Sequence, residues 1–537
     1  MTGAFGTSLA DYTGTIPRLL ERAAERDPDA IWLRTDDLTL TFAQAAGRVT
    51  AIAVDLAERG IGHGDLVMLT ARTTPEYLLS WLAVTALGAV TVPVNPASAP
   101  AELAGLIGQV GPKAIVTDSE MGLPAGVGDS GAGLVIDVHG IGAGRPDQPL
   151  PARSLATLPG RQVSPGDLAV LIPTSGTTGR SKLVMQTHRA YTLAAEGFPD
   201  WMELTAADRL MTSLPLFHIN APIYSVLGSL ACGAGLVLLP RFSASRFLDS
   251  ARRHGATEFN AIGAMLEILM RQPERPDDAD NPLRLCYAGP APDRERHLEI
   301  ERRFGIKIVV GYAMSESPYG LIWSRGTRPY GTLGSARQHP YLGTINEAKA
   351  VAAGANDAGA DGANAGPSGP ALGAGETGEM LLRNPVITPG YWDMPKETAA
   401  VKTPDGWLHT GDLVTVNDDG TYTFVGRRKE VLRRRGENLS PLEVEEVLDS
   451  HPAVLESAVV GVASDLTEDE IKAFIVGVPG SEVDLMELRG YAAERLSAFK
   501  VPRFWQLIDA LPRTPTARIA KHRLPQGHHP SEFDATP

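Results

Sequence analysis

The chain has 537 residues and a formal net charge of −14, with 43% hydrophobic and 21% charged residues. That length accommodates several domains, or one large domain with a small one, and the balance of apolar to charged residues is that of a soluble globular protein. The acidic balance excludes nucleic acid as the main partner, because phosphate backbones need a basic face, yet it leaves room for a local basic pocket around a nucleotide.

The N-terminal stretch MTGAFGTSLADYTG has neither a basic region nor an apolar core, so no signal peptide is read there. Two cysteines, Cys232 and Cys286, make no disulfide framework and no CxxC metal site. Both stand in apolar surroundings and read as small core residues. A cytoplasmic protein is expected.

From about residue 30 to about residue 340, strands rich in Val, Ile and Leu alternate with helical segments. Asp65–Thr70, Ala114–Asp118, Gly133–Val138 and Lys307–Val310 are examples. This alternation predicts mostly parallel sheets with helices on their faces. Two uncharged stretches, 77–101 and 219–240, resemble membrane spans in length only. Each is broken by glycine, and prolines interrupt both. They read as helix–turn–strand units of a buried α/β core.

Residues 352–375 are low in complexity and carry no expected chemistry; a mobile surface loop or hairpin tip is predicted. A β-rich stretch follows over 378–424, with Asn417-Asp418-Asp419-Gly420 as a hairpin turn. A final unit begins near Lys429. Its helix 440–450 opens with Ser440 as N-cap, Pro441 in the first turn and Glu443 three residues on. Strands 458–462 and 473–478 and a helix 485–498 complete a small α+β domain. The fold class is therefore α/β: a large N-terminal domain over 1–428, including the β-rich part, and a small C-terminal domain over 429–537.

The densest chemistry lies in Thr174-Ser175-Gly176-Thr177-Thr178-Gly179-Arg180-Ser181-Lys182. It follows the apolar run 168–172, read as a buried strand ended by Pro173. Glycines let backbone N–H groups approach anionic oxygens, hydroxyls donate further bonds, and a lysine adds a point charge, so the composition suits a loop around polyphosphate. It is no Walker A loop, because Arg180 and Ser181 separate Gly179 from Lys182. Taken alone, it reads equally well as a solvated Gly/Thr turn.

Gly289-Pro290-Ala291-Pro292 is a rigid turn after the strand 285–287. The segment 311–317, read as a loop at the end of the strand 308–310, offers Tyr312 as an aromatic face, Ser315 as a hydroxyl and Glu316 as a carboxylate. Loops at the carboxyl ends of parallel strands are where ligands bind, and these groups suit base stacking and Mg²⁺. An ordinary surface loop is the alternative. Thr410-Gly411-Asp412 closes the strand-like 407–409 and presents a carboxylate suited to ribose hydroxyls. Gly426-Arg427-Arg428-Lys429 stands at the expected domain joint. The run Arg433-Arg434-Arg435 suits either a phosphate-bearing ligand or a solvated charged face.

In order and spacing, the motifs TSGTTGxxK, PLFH, GYxxSE, TGD, GRxK and PRTPTxxI resemble those of the AMP-forming adenylating enzymes, over essentially the whole chain. Pro215-Leu216-Phe217-His218 and Gly436-Glu437-Asn438-Leu439-Ser440 resemble the acyl- and aryl-CoA ligase branch, with small-acid and carnitine-type CoA ligases as the nearest look-alikes. The resemblance implies that a carboxylate attacks the α-phosphate of ATP, that pyrophosphate leaves, and that the small domain rotates before a thiol displaces AMP. It implies ATP, Mg²⁺ and CoA as cofactors. Thr174, Ser175, Gly176, Thr177, Thr178, Gly179 and Lys182 would then close on the β- and γ-phosphates. Tyr312 would stack on adenine beside Gly289, Pro290 and Ala291, with Ser315 next to Glu316, which would hold Mg²⁺. Asp412 and Arg427 would grip the ribose, Lys429 would be the hinge, and His218 would line the acyl site.

Three departures stand out. Gly179-Arg180-Ser181-Lys182-Leu183 replaces the family's TGxPKG turn while keeping the lysine. Gly311-Tyr312-Ala313-Met314-Ser315-Glu316 replaces GYGxTE. At the C-terminal motif, Arg518 stands where the family has a lysine that bridges the acid and the α-phosphate. Arginine keeps the charge in a bulkier, planar form, and the nearby Lys521 is a substitute.

The main reading is an AMP-forming acid–thiol ligase for a small, aliphatic or aromatic acid, with no nucleic acid or membrane partner and a homodimer left open. An acidic anchor for an amino group is missing from Phe217-His218-Ile219-Asn220, which disfavours an α-amino acid. Two alternatives stand beside it. One is an ATP-dependent diazotase-like enzyme, as in relatives from secondary-metabolic clusters, activating nitrite for reaction with an arylamine. The other is a non-catalytic nucleotide-binding relative.

Overall fold

The computed structural model describes residues 5–535 apart from 7, 99, 121–122, 124–132, 142–162, 175–180, 263–264, 290–291, 325, 353–367, 429–431, 435–436, 440, 464–468, 497–499, 514–518, 526, 528 and 530. The chain divides into two compact units. One comprises Met1–Ala348, Ala358–Gly366 and Leu382–Leu408, the other Lys349–Asp357, Pro367–Leu381 and His409–Pro537.

The first unit contains two sheets built on parallel strands. In the six-stranded sheet the order is Leu134–Asp137, Ala114–Thr117, Leu66–Thr70, Val90–Pro93, Leu168–Thr174, Lys182–Thr187. All recorded pairs are parallel except the last, an antiparallel hairpin. In the nine-stranded sheet a parallel centre, from Ile31–Arg34 through to Lys307–Met314, is finished at both edges by antiparallel strands. Parallel strands covered on both faces need no polar alternation, which is why their sequences read as continuous apolar runs.

Helices fill the space around these sheets. Phe42–Glu58 starts at a capping box between Thr41 and Gln44, satisfying two N-terminal donors at once. Pro75–Ala86 is buried from Tyr77 onward. Its chain then turns at Gly88, whose φ of +71° favours glycine, into Val90–Pro93. The first span-like stretch is therefore the helix–turn–strand unit expected. The second is too: a π-helix Ala221–Leu227, a helix Gly228–Cys232 and a strand Gly235–Leu238. Among the described residues no helix is long and apolar enough to cross a membrane.

In the second unit, the strands Glu347–Val351, Thr377–Arg383, Leu408–Val416 and Tyr422–Arg427 follow in that order in one sheet. The expected hairpin turn joins the last two. The C-terminal part carries a sheet of Val454–Ala463, Asp469–Gly477, Phe504–Leu507 and Phe533–Asp534. Leu432, Val444, Leu448, Ile471, Leu488 and Trp505 share its core with the helices Pro441–Asp449 and Leu485–Ala493.

Four local expectations need correction. The strand expected to stop at Pro173 runs on to Thr174. The pairing recorded with Val90–Pro93 is at Thr91 and Val170, so Pro173 lies past it, where its missing N–H costs no ladder bond. The segment 311–317 is no open loop: the strand continues to Met314 and turns tightly into Ser317–Ile322, with Tyr312 opposite Leu321. Thr410-Gly411-Asp412 lies inside Leu408–Val416, held there because Asp412 pairs with Arg427 across the hairpin. The last long helix ends at Ala493, followed by a turn over 494–496. The N-cap Ser440 and most of the low-complexity stretch lie outside the described residues.

Candidate active site

In the first unit, Thr174 and Lys182 face each other at the base of a hairpin, with the Thr174 hydroxyl donating to the Lys182 carbonyl at 3.3 Å. The loop they bracket, Ser175 to Arg180, lies outside the described residues. The chain leaves this loop as a strand, so the lysine, at the first position of Lys182–Thr187, is fixed by a β-ladder.

That strand carries the second group to its place. Gln186, two turns of the pleat beyond Lys182, donates to the Ser315 carbonyl at 2.7 Å. Ser315 and Glu316 form the tight turn between Lys307–Met314 and Ser317–Ile322. The segment 388–392 then straps both. The Thr388 N–H donates to the Glu316 carbonyl at 2.7 Å, and the Thr388 hydroxyl donates to the Met185 carbonyl at 2.6 Å. Met185 donates to the Gly390 carbonyl at 3.0 Å, and Trp392 to the Leu183 carbonyl at 2.8 Å.

Tyr391 is the side chain at the centre of this strap. It is 6% exposed. Its hydroxyl donates to Glu316 Oε1 at 3.0 Å, and Lys182 Nζ lies 4.5 Å from its ring centroid. One buried phenol thus touches both the cation and the carboxylate expected at the phosphates. A cation over an aromatic face is stabilised by about 0.5–2 kcal/mol, depending on desolvation. The sequence by itself does not single out Tyr391. The only local signal is the Pro389-Gly390 turn before it, which marks a bend but names no partner.

Tyr312 lies half-buried on the strand Lys307–Met314. A Cβ on Gly320 would overlap the Tyr312 carbonyl, so glycine is required opposite it. Gly289 ends the strand Leu285–Gly289, and a Cβ there would come within 2.9 Å of the Gly311 carbonyl. These glycines let neighbouring backbones close up around Tyr312. Pro290 and Ala291 lie outside the described residues. His218 sits just ahead of the π-helix, its ring 4.6 Å from that of Phe217 in an edge-on arrangement.

The second unit holds a separate pair. Asp412 is 2% exposed, and Arg427 Nε stands 3.0 Å from its Oδ1. Glu379 supports this strand: it accepts from the Gly411 N–H at 3.1 Å and meets His409 at 3.0 Å and Arg428 at 3.2 Å. Burial pushes its carboxyl up, but His409, Arg428 and the Gly411 N–H outweigh that and hold Glu379 below the ordinary carboxylate range. Lys429 and Arg518 lie outside the described residues, as do Arg435, Gly436 and Ser440.

Among the described residues no cluster of three or more His, Cys, Asp or Glu side chains could hold a metal unaided. A single carboxylate is nonetheless what Mg²⁺ uses beside waters and nucleotide phosphates. Glu316, with one oxygen held by Tyr391, fits that requirement.

Residues 20–392 match the model of the AMP-binding enzyme family, and residues 443–518 match that of the AMP-binding enzyme C-terminal domain. The chain belongs to the AMP-binding enzyme family. It is 30% identical over 482 residues to a crotonobetaine/carnitine–CoA ligase of Salmonella heidelberg (strain SL476), covering 87% of this chain and 89% of that one. It is 31% identical over 520 residues to a sulfoacetate–CoA ligase of Cupriavidus necator, covering 95% and 97%. The o-succinylbenzoate coenzyme A synthetase MenE from Bacillus subtilis, in complex with ATP and a magnesium ion, superposes with a TM-score of 0.80 at 26% identity, covering 94% of this chain and 98% of that one. Within the AMP-binding enzymes the chain falls in the AMP-forming acyl-CoA ligase branch, as an acid–thiol ligase using ATP, Mg²⁺ and CoA.

Proposed function

We propose that the protein adenylates a small carboxylic acid, aliphatic or aromatic, and passes the acyl group to CoA. The observation that carries this is the meeting of Lys182 and Glu316 on Tyr391, which holds a cation and a carboxylate together in a chain of this family. In this reading the acid's carboxylate oxygen attacks the α-phosphorus of ATP and pyrophosphate leaves. The CoA thiol then attacks the acyl carbon, and AMP leaves with the bonding electrons.

Each residue has a stated task. Lys182, with Thr174 and the loop Ser175 to Gly179, neutralises the β- and γ-phosphates. Glu316 holds Mg²⁺, which supplies charge neutralisation on the same phosphates. Tyr312 stacks on adenine beside Gly289, Pro290 and Ala291. Asp412 accepts from the ribose hydroxyls and keeps Arg427 beside it. His218 lines the acid's path, and Arg518 takes the place of the usual lysine at the α-phosphate. Residues 429–537 act as the moving lid, with Lys429 as the pivot. A positioned charge of this kind supplies on the order of 3 kcal/mol to such a transition state.

The test is pyrophosphate release with ATP, Mg²⁺ and a panel of acids, with and without CoA. Acid-dependent release with thioester formation is expected. Release without thioester would sink the CoA step, and release with nitrite and an arylamine in place of acid and CoA would replace the acid altogether.

A further inference from the structure

The strap over 388–392 is held from a second direction. The helix Pro395–Val401 follows it in the chain, and two residues four positions apart, on one face, reach back to it. Thr398 Oγ1 accepts from the Tyr391 N–H at 2.9 Å, while its own O–H donates to the Met394 carbonyl at 2.8 Å. Lys402, the first residue past the helix, donates from Nζ to the Thr388 carbonyl at 3.0 Å and to the Pro389 carbonyl at 3.2 Å. The strap lies so close to the helix that a Cβ on Gly390, whose φ is +155°, would sit 2.5 Å from Thr398 Cγ2.

Lys402 is half-buried, and a desolvated ammonium is ordinarily matched by a carboxylate. Among the described residues Lys402 forms no ion pair. Burial lowers its amine below the ordinary lysine value, and no carboxylate offsets this. Two of its three N–H donors are spent on the strap. The same short segment meets the expected phosphate site through its other groups. The Thr388 N–H donates to the Glu316 carbonyl, and the Tyr391 hydroxyl donates to Glu316 Oε1. Any shift of the strap that lifts the phenol off Glu316 therefore has to break the bonds to Lys402 as well. Pro389 is exposed, so water takes over its carbonyl when the ammonium is removed. The expected consequence is a looser strap in a folded chain.

We propose that Lys402 is a positioning residue of the ATP site: it holds the strap, and through the strap the Tyr391 phenol, so that Lys182 and Glu316 keep the spacing that Mg²⁺ and the nucleotide phosphates require. This rests on the phosphate-site roles given to Lys182 and Glu316 above. Lys402 itself touches neither nucleotide nor metal. Its effect reaches them only through Tyr391, which makes the two residues one unit in any measurement of ATP affinity.

The experiment is calorimetry of ATP with Mg²⁺ on the full chain, which needs no acid, arranged as a double-mutant cycle. Lys402→Met is expected to weaken binding about fivefold or more. Lys402→Arg keeps the cation and its donors and should return binding to within about twofold of wild type. Adding Lys402→Met to Tyr391→Phe should weaken binding by no more than about twofold beyond Tyr391→Phe alone. Unaltered affinity in Lys402→Met, or two penalties that multiply in the double variant, would overturn the assignment. A lower melting temperature with the ATP affinity of the folded protein intact is the mark of a merely structural lysine and overturns it too. If Lys402→Met does not fold, Lys402→Gln, which retains an amide donor, takes its place; a weakening of about threefold is then expected, and none counts against. Wild-type protein that binds no ATP with Mg²⁺ would instead remove the phosphate-site reading itself, and the role of Lys402 with it.

Discussion

The Tyr391 hydroxyl donates to Glu316 at 3.0 Å while its ring lies under Lys182 at 4.5 Å, so one side chain sets the spacing of two opposite charges. Tyr391→Phe removes the hydroxyl and keeps the ring. A hydrogen bond to a charged group contributes about 1.5 kcal/mol at the lower end, or roughly tenfold in affinity. Calorimetry with ATP and Mg²⁺ should show binding weakened by that factor, with little change in melting temperature. Tyr391→Leu, which also removes the ring, should cost more in kcat than Tyr391→Phe. Equal Mg²⁺ dependence in wild type and Tyr391→Phe would count against the role.

Gly320 faces the Tyr312 carbonyl so closely that no side chain fits. Gly320→Ala must push the two antiparallel strands apart. Overpacking of this sort costs about 1–3 kcal/mol. Its expected signature is a lower melting temperature together with weaker binding of AMP, since the displaced strand carries Tyr312. Normal AMP affinity in a destabilised variant would separate Tyr312 from the adenine site.

The pair Asp412 and Arg427 lends itself to a double-mutant cycle. Asp412 is buried, whereas Arg427 is about half exposed. Arg427→Ala leaves a buried carboxylate short of its cation and should destabilise by about 1–3 kcal/mol. Asp412→Asn in the same chain should recover part of that loss in urea unfolding. Strict additivity of the two changes would mean that the ion pair contributes nothing.

Glu258 opens the strand Glu258–Ile262 between two parallel neighbours, fully buried, and neither carboxyl oxygen finds a hydrogen-bond partner among the described residues. Burial, reinforced by Asp208, pushes its carboxyl well above the ordinary value of 4.5. The folded protein therefore holds a proton that the unfolded chain releases near 4.5, and stability falls as pH rises from there toward the folded value. Glu258→Gln is neutral throughout. Urea unfolding at pH 5.5 and 8 should show a smaller decline for Glu258→Gln than for wild type; parallel declines would mean that Glu258 is not the source.

Much of this architecture is legible because it depends on local pattern. The parallel sheets announce themselves as apolar runs, and Asn417-Asp418-Asp419-Gly420 marks its hairpin through turn chemistry alone. Segments carrying Lys182, Tyr312, Glu316 and Asp412 stand out by composition and order. What escapes is whatever depends on distant pairing. Pro173 looks like a strand end until the pairing around it is known. The segment 311–317 looks like a loop because its partner strand gives it no local alternation. Tyr391 sits in unremarkable surroundings, and only folding brings it beside Glu316.

The strap over 388–392 also sets an order of events in the cell. Thr388 reaches Met185 across 203 residues of chain. At 5–20 residues per second, a ribosome takes roughly 10–40 s to cover that distance. During that interval the hairpin bearing Lys182 has left the exit tunnel without its strap, and it waits until the far segment emerges. Any truncation before Tyr391 would leave it in that nascent condition permanently.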